Sequence, residues 1–213
     1  MKRVKPRNPN RSKGIQMTQI EGVAPQTWRV SSNQAQTLAR FIEAGRQGEG
    51  ALKADHVALK RLNPDAESLT VQQIAALTRA LQRAKVDCEQ LSVEGWKRWA
   101  VIVNGIALTG HHMPKDGESK ANARFGFQLR RAGVSDARVT RLFNARGDAF
   151  FPLLQRALRM MQSRNVEPNW AELGTFVLNE SAEHSKGKRW AEALRIRFVH
   201  DHASASPEGA KKP

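Results

Sequence analysis

VEGWKRWAVIVNGIAL, residues 93–108, decides the fold. Past Arg98 this stretch carries no charge, and none follows until Lys115. Trp96, Trp99, Val101, Ile102, Val103, Ile106 and Leu108 fall on every side of a helical wheel. A helix that is apolar all round has to be enclosed by other elements, so it is read as the central element around which the rest packs. Its uncharged run is about half of the roughly 20 residues that cross a bilayer, which makes it a core helix and not a membrane span.

Working outward, the flanking segments show helical periodicity and no useful stretch with period two. Ser31 with Gln34, and Thr70 with Gln73, have the spacing of reciprocal N-terminal caps. The first predicts a helix burying Leu38, Phe41 and Ile42 and ending at Gly45. A second helix covers about 51–62, stopped by Asn63-Pro64. The third carries Val71, Ile74, Leu77, Leu81 and Ala84 on its apolar face, with Leu69 placed to staple onto Ile74. GHHMPKDGES, residues 110–119, breaks the pattern as an exposed loop and the internal boundary. After it come helices at about 122–132, closed by Gly133; 135–146, capped by Ser135; 148–164, capped by Asp148; 169–178, with Asn169 and Glu172 as a further capping box; and 188–200, with His200 and His202 at a fraying end. The expectation is an all-α protein of about nine helices in two packed sub-bundles, 28–110 and 120–200. A disordered basic arm over 1–27 precedes them, and a flexible tail over 201–213 follows.

Composition bounds the function. The chain has 213 residues, with 35 Lys and Arg against 20 Asp and Glu, a formal charge of +15. A single Cys excludes a disulfide framework and a Cys-rich zinc site. The N-terminus is basic with no apolar stretch behind it, unlike a secretory signal, so a cytoplasmic, non-membrane protein is expected. Charge of this size on one modest domain repels itself and normally serves a polyanion. Nucleic acid is the first such partner, and an anionic membrane surface the second. Residues 120–165 hold ten basic groups against Asp136 and Asp148, and nine of the ten are Arg, which forks onto phosphate better than Lys.

Catalytic patterns are scarce. His111 and His112, with Asp116 and Glu118, are the only loop cluster resembling metal ligands. Adjacent histidines point apart, and no i, i+4 His pair is present. Cys88 has no helix start beside it to lower its pKa. GRQGEG at 45–50 lacks the strand and the Lys-Ser/Thr pair of a phosphate loop. No cofactor, metal or catalytic residue is assigned. Trp96, Trp99 and Trp170 fall on apolar faces and read as core, whereas Trp28 and Trp190 stay open between core and base stacking.

The arginines carry the functional reading. On the helix from Ser135, Val139, Leu142 and Phe143 form the apolar stripe, and Arg138 and Arg141 lie one turn apart off it. On the next helix Phe151, Leu154, Leu158 and Met161 form the stripe, with Arg156 and Arg159 on the other side. Arg146 stands at the corner between them. With Arg124, Arg130 and Arg131 upstream, these make a basic face almost free of carboxylates, suited to backbone phosphates and not to base reading.

RFGFQLRRAGVSDARVTRLFNARGDAFFPLLQRALRMMQSRNVEPNWAEL, residues 124–173, resembles the CasB family, the small subunit of the type I-E CRISPR surveillance complex Cascade. The shared features are Gly126 within a helix, the Gly133 turn, Arg138 with Leu142, Asp148, Leu154 with Arg156, and the Asn169-Trp170 cap. WAEALRIRF at 190–198 is similar to the family's terminal helix, and the likeness extends more loosely over 28–200. Departures are Phe127, where a polar residue commonly follows the glycine, Asn169 for Asp, and the first 27 residues. The resemblance implies a non-catalytic subunit paired head to tail along a ribonucleoprotein, beside backbone and large subunits. It would contact crRNA and target DNA and steady the displaced strand of the R-loop. Positions matching Arg138, Arg156 and the corner near Arg146 are the implied contacts. Two rival readings are a helix-turn-helix regulator, with 128–142 bent at Gly133, and a helical enzyme built on the His111 loop.

Overall fold

Two reciprocal caps start the first and third helices as the spacing predicts. Ser31 Oγ accepts the Gln34 N–H at 3.1 Å while the Gln34 amide oxygen accepts the Ser31 N–H, and Thr70 and Gln73 repeat the arrangement. The computed structural model describes residues 29–63, 69–113, 115–119, 122–182 and 185–205. The predicted arm over 1–27, Trp28 and the end of the tail from 206 lie outside them.

Among the described residues there are nine α-helices and no strand: α1 (Ser32–Gln47), α2 (Gly50–Lys60), α3 (Val71–Arg83), α4 (Val93–Thr109), α5 (Phe125–Arg131), α6 (Asp136–Asn144), α7 (Phe150–Ser163), α8 (Trp170–Asn179) and α9 (Ser185–Ser204). Helices α1 to α3 pack on one another and on α4, and α9 gathers α5, α6 and α8. Helix α4 also packs against α7 and α8, so both groups share it. Trp99, Ala100, Val101, Ile102, Val103 and Ile106 are all buried, as an all-round apolar helix requires. Gly105 lets α8 come close: a Cβ there would stand 2.1 Å from the Trp170 ring, which is itself fully buried. Trp96 is partly buried against the same core.

Several local expectations are corrected. Helix α1 continues past Gly45 to Gln47. Gly45 is buried where a Cβ would meet the Leu52 carbonyl at 2.7 Å, so it serves close packing on α2 and not termination. Helix α3 buries Ala76, Leu77, Ala80 and Leu81 and leaves Val71 and Ile74 exposed; the small alanines let it approach its neighbours closely. Asp148 does not cap α7. It lies within a 3-10 turn, Gly147–Ala149, whose Gly147 N–H is bonded by Glu180. Asn169 caps α8 by accepting the Ala171 N–H, but Glu172 does not complete a box, because its carboxylate takes the Phe125 N–H at 2.8 Å and pairs with Arg197. Helix α9 runs on to Ser204, and His202 is buried with Nε2 2.8 Å from the Val134 carbonyl, so that end is docked and not frayed.

The His111 loop is likewise not simply exposed. His111 is buried, and its Nδ1 accepts the Trp170 N–H at 3.1 Å, satisfying the start of α8. His112 turns the other way, to Glu118 at 3.1 Å. Burial holds the His111 imidazole down to about 4, so it stays neutral and able to accept.

Candidate nucleic-acid interface

Helices α6 and α7 present the arginine face. Val139, Leu142 and Phe143 of α6, and Phe151, Leu154, Leu158 and Met161 of α7, are buried as predicted. This phase turns Arg138, Arg141, Arg156 and Arg159 outward, and all four are exposed. Among the described residues none of the four makes a salt bridge. Arg138 Nη1 donates to Met160 Sδ at 3.2 Å. That contact joins the first turn of α6 to the last turn of α7, so the two helices lie side by side in opposite directions. Met160 is one turn beyond Arg156 and adjacent to Arg159, which brings Arg138 into their neighbourhood.

The other predicted residues are placed differently. Arg146 is exposed, but its Nη1 donates to the Phe143 and Ala145 carbonyls at 2.6 and 2.9 Å, closing the C-terminal end of α6. Arg124 is paired at 3.2 Å with buried Asp201. Arg130 is paired at 3.2 Å with exposed Asp136. Arg131 is exposed, and its charge reaches Glu118, whose carboxyl is lowered first by the Lys115 N–H. The eight arginines thus divide into a quartet on α6 and α7 with no carboxylate partner among the described residues, three tied to carbonyls or carboxylates (Arg124, Arg130 and Arg146), and Arg131, exposed beside them.

The quartet is carried on a rigid corner. Arg195 is buried over the Phe176 ring, reaches Glu180 at 3.7 Å, and Glu180 holds the Gly147 N–H. Phe143, Phe150, Phe176 and Phe198 meet edge to face or tilted beneath it. Gly126 lies where a Cβ would stand 2.3 Å from the Phe198 carbonyl, so α5 sits directly on α9.

Two cationic or aromatic features escaped the sequence reading. Arg164 faces a groove shared with Arg130 and Arg131; its charge was counted but its direction was not. Arg29 lies 4.8 Å from the centroid of the half-buried Trp190 ring. Elsewhere, no group of three His, Cys, Asp or Glu residues among those described is placed to hold a metal. Cys88 begins a 3-10 turn after all, yet burial and the Asp87 charge push its thiol up, away from nucleophilic use. No helix of the described residues is long and apolar enough to cross a membrane.

The fold and site define an all-helical protein, without strands among the described residues, that exposes an arginine face on two consecutive helices. The particular family follows from comparison: residues 55–201 match the model for CRISPR-associated protein Cse2, and the chain belongs to that family. Membership makes it a structural subunit of a type I-E CRISPR Cascade. No curated protein and no solved structure matches the chain.

Proposed function

We propose that this subunit is non-catalytic and binds crRNA and target DNA through their sugar–phosphate backbones, holding the displaced strand of the R-loop without regard to sequence. It would do so in the cytoplasm, as a head-to-tail pair beside the backbone and large Cascade subunits. The observation carrying this reading is the quartet Arg138, Arg141, Arg156 and Arg159 on adjacent helices, exposed and without carboxylate partners among the described residues. Guanidinium groups so placed neutralise phosphates and release counterions. Exchange of duplex for heteroduplex is nearly balanced in an R-loop, so a few charge-assisted contacts of about 1 kcal/mol each shift it.

A base-reading helix-turn-helix is less well supported. Helix α5 has seven residues, four of them buried, and α6 opens at its exposed end with Asp136 and Ala137. Asp136 and Ala137 lack the bidentate reach of Arg, Asn or Gln to a purine edge, and Arg138, the arginine of that turn, is drawn onto Met160 of α7.

The test is the quadruple Arg→Ala variant at 138, 141, 156 and 159. Melting should be unchanged, because the four side chains are exposed and make no salt bridge among the described residues. Single-strand affinity should fall, and the slope of log K against log salt should flatten by up to about 3, since each lost phosphate contact removes about 0.7. Unaltered binding and slope would assign the affinity to another surface.

A further inference from the structure

A groove of about 720 Å³ lies where the end of α5, the turn into α6, Arg164 just past α7 and the end of α9 at Ser204 and Ala205 come together. Arg130, Arg131 and Arg164 line it together with Phe127, Val134 and Ser135, and no carboxylate is among the described lining residues. Its volume is that of a small-ligand site. The floor is fixed: Gln128 is buried, its Nε2 donates to the Asn122 carbonyl, and its amide oxygen accepts the Asn169 N–H. The Schellman turn that ends α5 shapes one wall, with Gly133 at φ +72° and the Val134 N–H bonded to the Leu129 carbonyl at 3.1 Å. Ser135 precedes α6 without its side chain making a cap hydrogen bond. Ser135 lines the groove, so the positive end of the α6 dipole stands beside the same three guanidinium groups. Asp136, just outside the lining, takes one bond of Arg130; Arg131 and Arg164 make no salt bridge among the described residues.

A bare phosphate would use the cations and leave the apolar wall of Phe127 and Val134 idle. A group combining a flat apolar face with an anion a few ångströms away uses both. We infer that the groove takes one nucleoside phosphate unit of a single strand, with its base against the Phe127 ring and its phosphate among Arg130, Arg131 and Arg164. This rests on the reading that the chain meets nucleic acid, but it uses a different surface from the α6–α7 quartet. It also gives a role to Phe127, the residue at which this chain departs from the polar side chain expected after Gly126.

The experiment uses the full chain and two labelled probes with equal numbers of phosphates: an oligothymidylate and an abasic strand. Base–aromatic stacking makes the first bind about tenfold more tightly. Phe127→Ala should abolish that ratio while leaving abasic affinity nearly unchanged, and Phe127→Tyr should keep it. Arg164→Ala should weaken both probes. Phe127→Leu, which retains apolar packing, should lose the ratio as Phe127→Ala does, and so guards against a folding defect. A strand carrying 5-iodouracil should photocrosslink to Phe127. A ratio that survives both Phe127→Ala and Phe127→Leu, or crosslinks only at other residues, overturns the inference. Free thymidine monophosphate should not displace the strand; displacement lost in Phe127→Ala would make the groove a site for a free nucleotide and overturn the strand assignment. The quartet variant separates the two proposals, because it lowers both probes together and leaves their ratio intact. Absence of any strand binding or crosslink would refute both.

Discussion

His111 illustrates how one side chain can be misjudged from its neighbours in sequence. It sits in a Gly- and Pro-containing loop beside another His, a setting that suggests solvent. The fold instead buries it as the acceptor for the first N–H of α8. Only the neutral imidazole can accept there, and its folded value of about 4 lies below the ordinary 6.5. For a histidine lowered in this way the unfolded chain binds more protons between those two values. The stabilisation is complete above about pH 6.5 and is lost as pH falls toward 4. Denaturant titrations should therefore show about 2 kcal/mol less stability at pH 5 than at pH 7 from this residue. His111→Asn, whose Oδ1 can accept the same N–H without titrating, should flatten that difference; an unchanged pH profile would remove His111 from the account. The arginines were more legible. Helical phase alone turned Arg138, Arg141, Arg156 and Arg159 outward, because the apolar stripes of α6 and α7 are strong. Phase said nothing about Arg124 and Arg130, whose carboxylate partners Asp201 and Asp136 are 77 and 6 residues away in sequence.

The helices themselves were legible where their ends carry local chemistry. Ser31 and Thr70 cap as read, since a reciprocal cap involves only four consecutive residues. Ends set by distant partners were not legible. Asp148 loses its capping place because it lies inside the 3-10 turn that Glu180 anchors at the Gly147 N–H, leaving Ala149 at the start of α7, and Glu172 is drawn from its own helix start to Phe125 and Arg197. Burial raises the Glu172 carboxyl despite those contacts. The C-terminal turn of α3 offers a direct test. Lys85 adopts φ +56° while the Val86 N–H bonds the Leu81 carbonyl at 3.0 Å, a Schellman turn with a lysine where glycine is favoured. Relief of the left-handed conformation outweighs the entropy glycine adds to the unfolded chain. Lys85→Gly should raise stability by about 0.5–1 kcal/mol in chemical denaturation, and a loss of stability would show that the lysine side chain contributes to the core edge. Asn165, at φ +52° after α7, shows the same turn with a residue better suited to it.

The molecule is joined through α4, with α1 adding a direct contact to α8 beside it, where the Val30 N–H donates to Thr175 Oγ1. The predicted role of α4 as the central helix needed no tertiary information, because a sequence with no polar face has no other stable place. The way it joins the two sub-bundles depends on single contacts across the fold. Trp170 of α8 fills the space left by Gly105, and Asn104 bonds the Leu59 and Lys60 carbonyls at the end of α2 while accepting from Gln155 of α7. We propose that the two sub-bundles unfold together for this reason. Gly105→Ala should shift one shared transition, followed by circular dichroism and by tryptophan fluorescence, downward by about 1–3 kcal/mol. Two separated transitions would show that the halves are independent.

Periodicity, capping spacing and charge were sufficient to establish an all-α chain, its buried central helix and an arginine face on two consecutive helices, because each depends on residues within a turn or two of one another. Which arginines stay unpaired, which histidine is buried, and where Arg130, Arg131 and Arg164 converge beside Phe127 depended on the packing of α5, α7 and α9. Ion pairs and grooves form between side chains brought together across long stretches of chain, and no local pattern encodes that meeting.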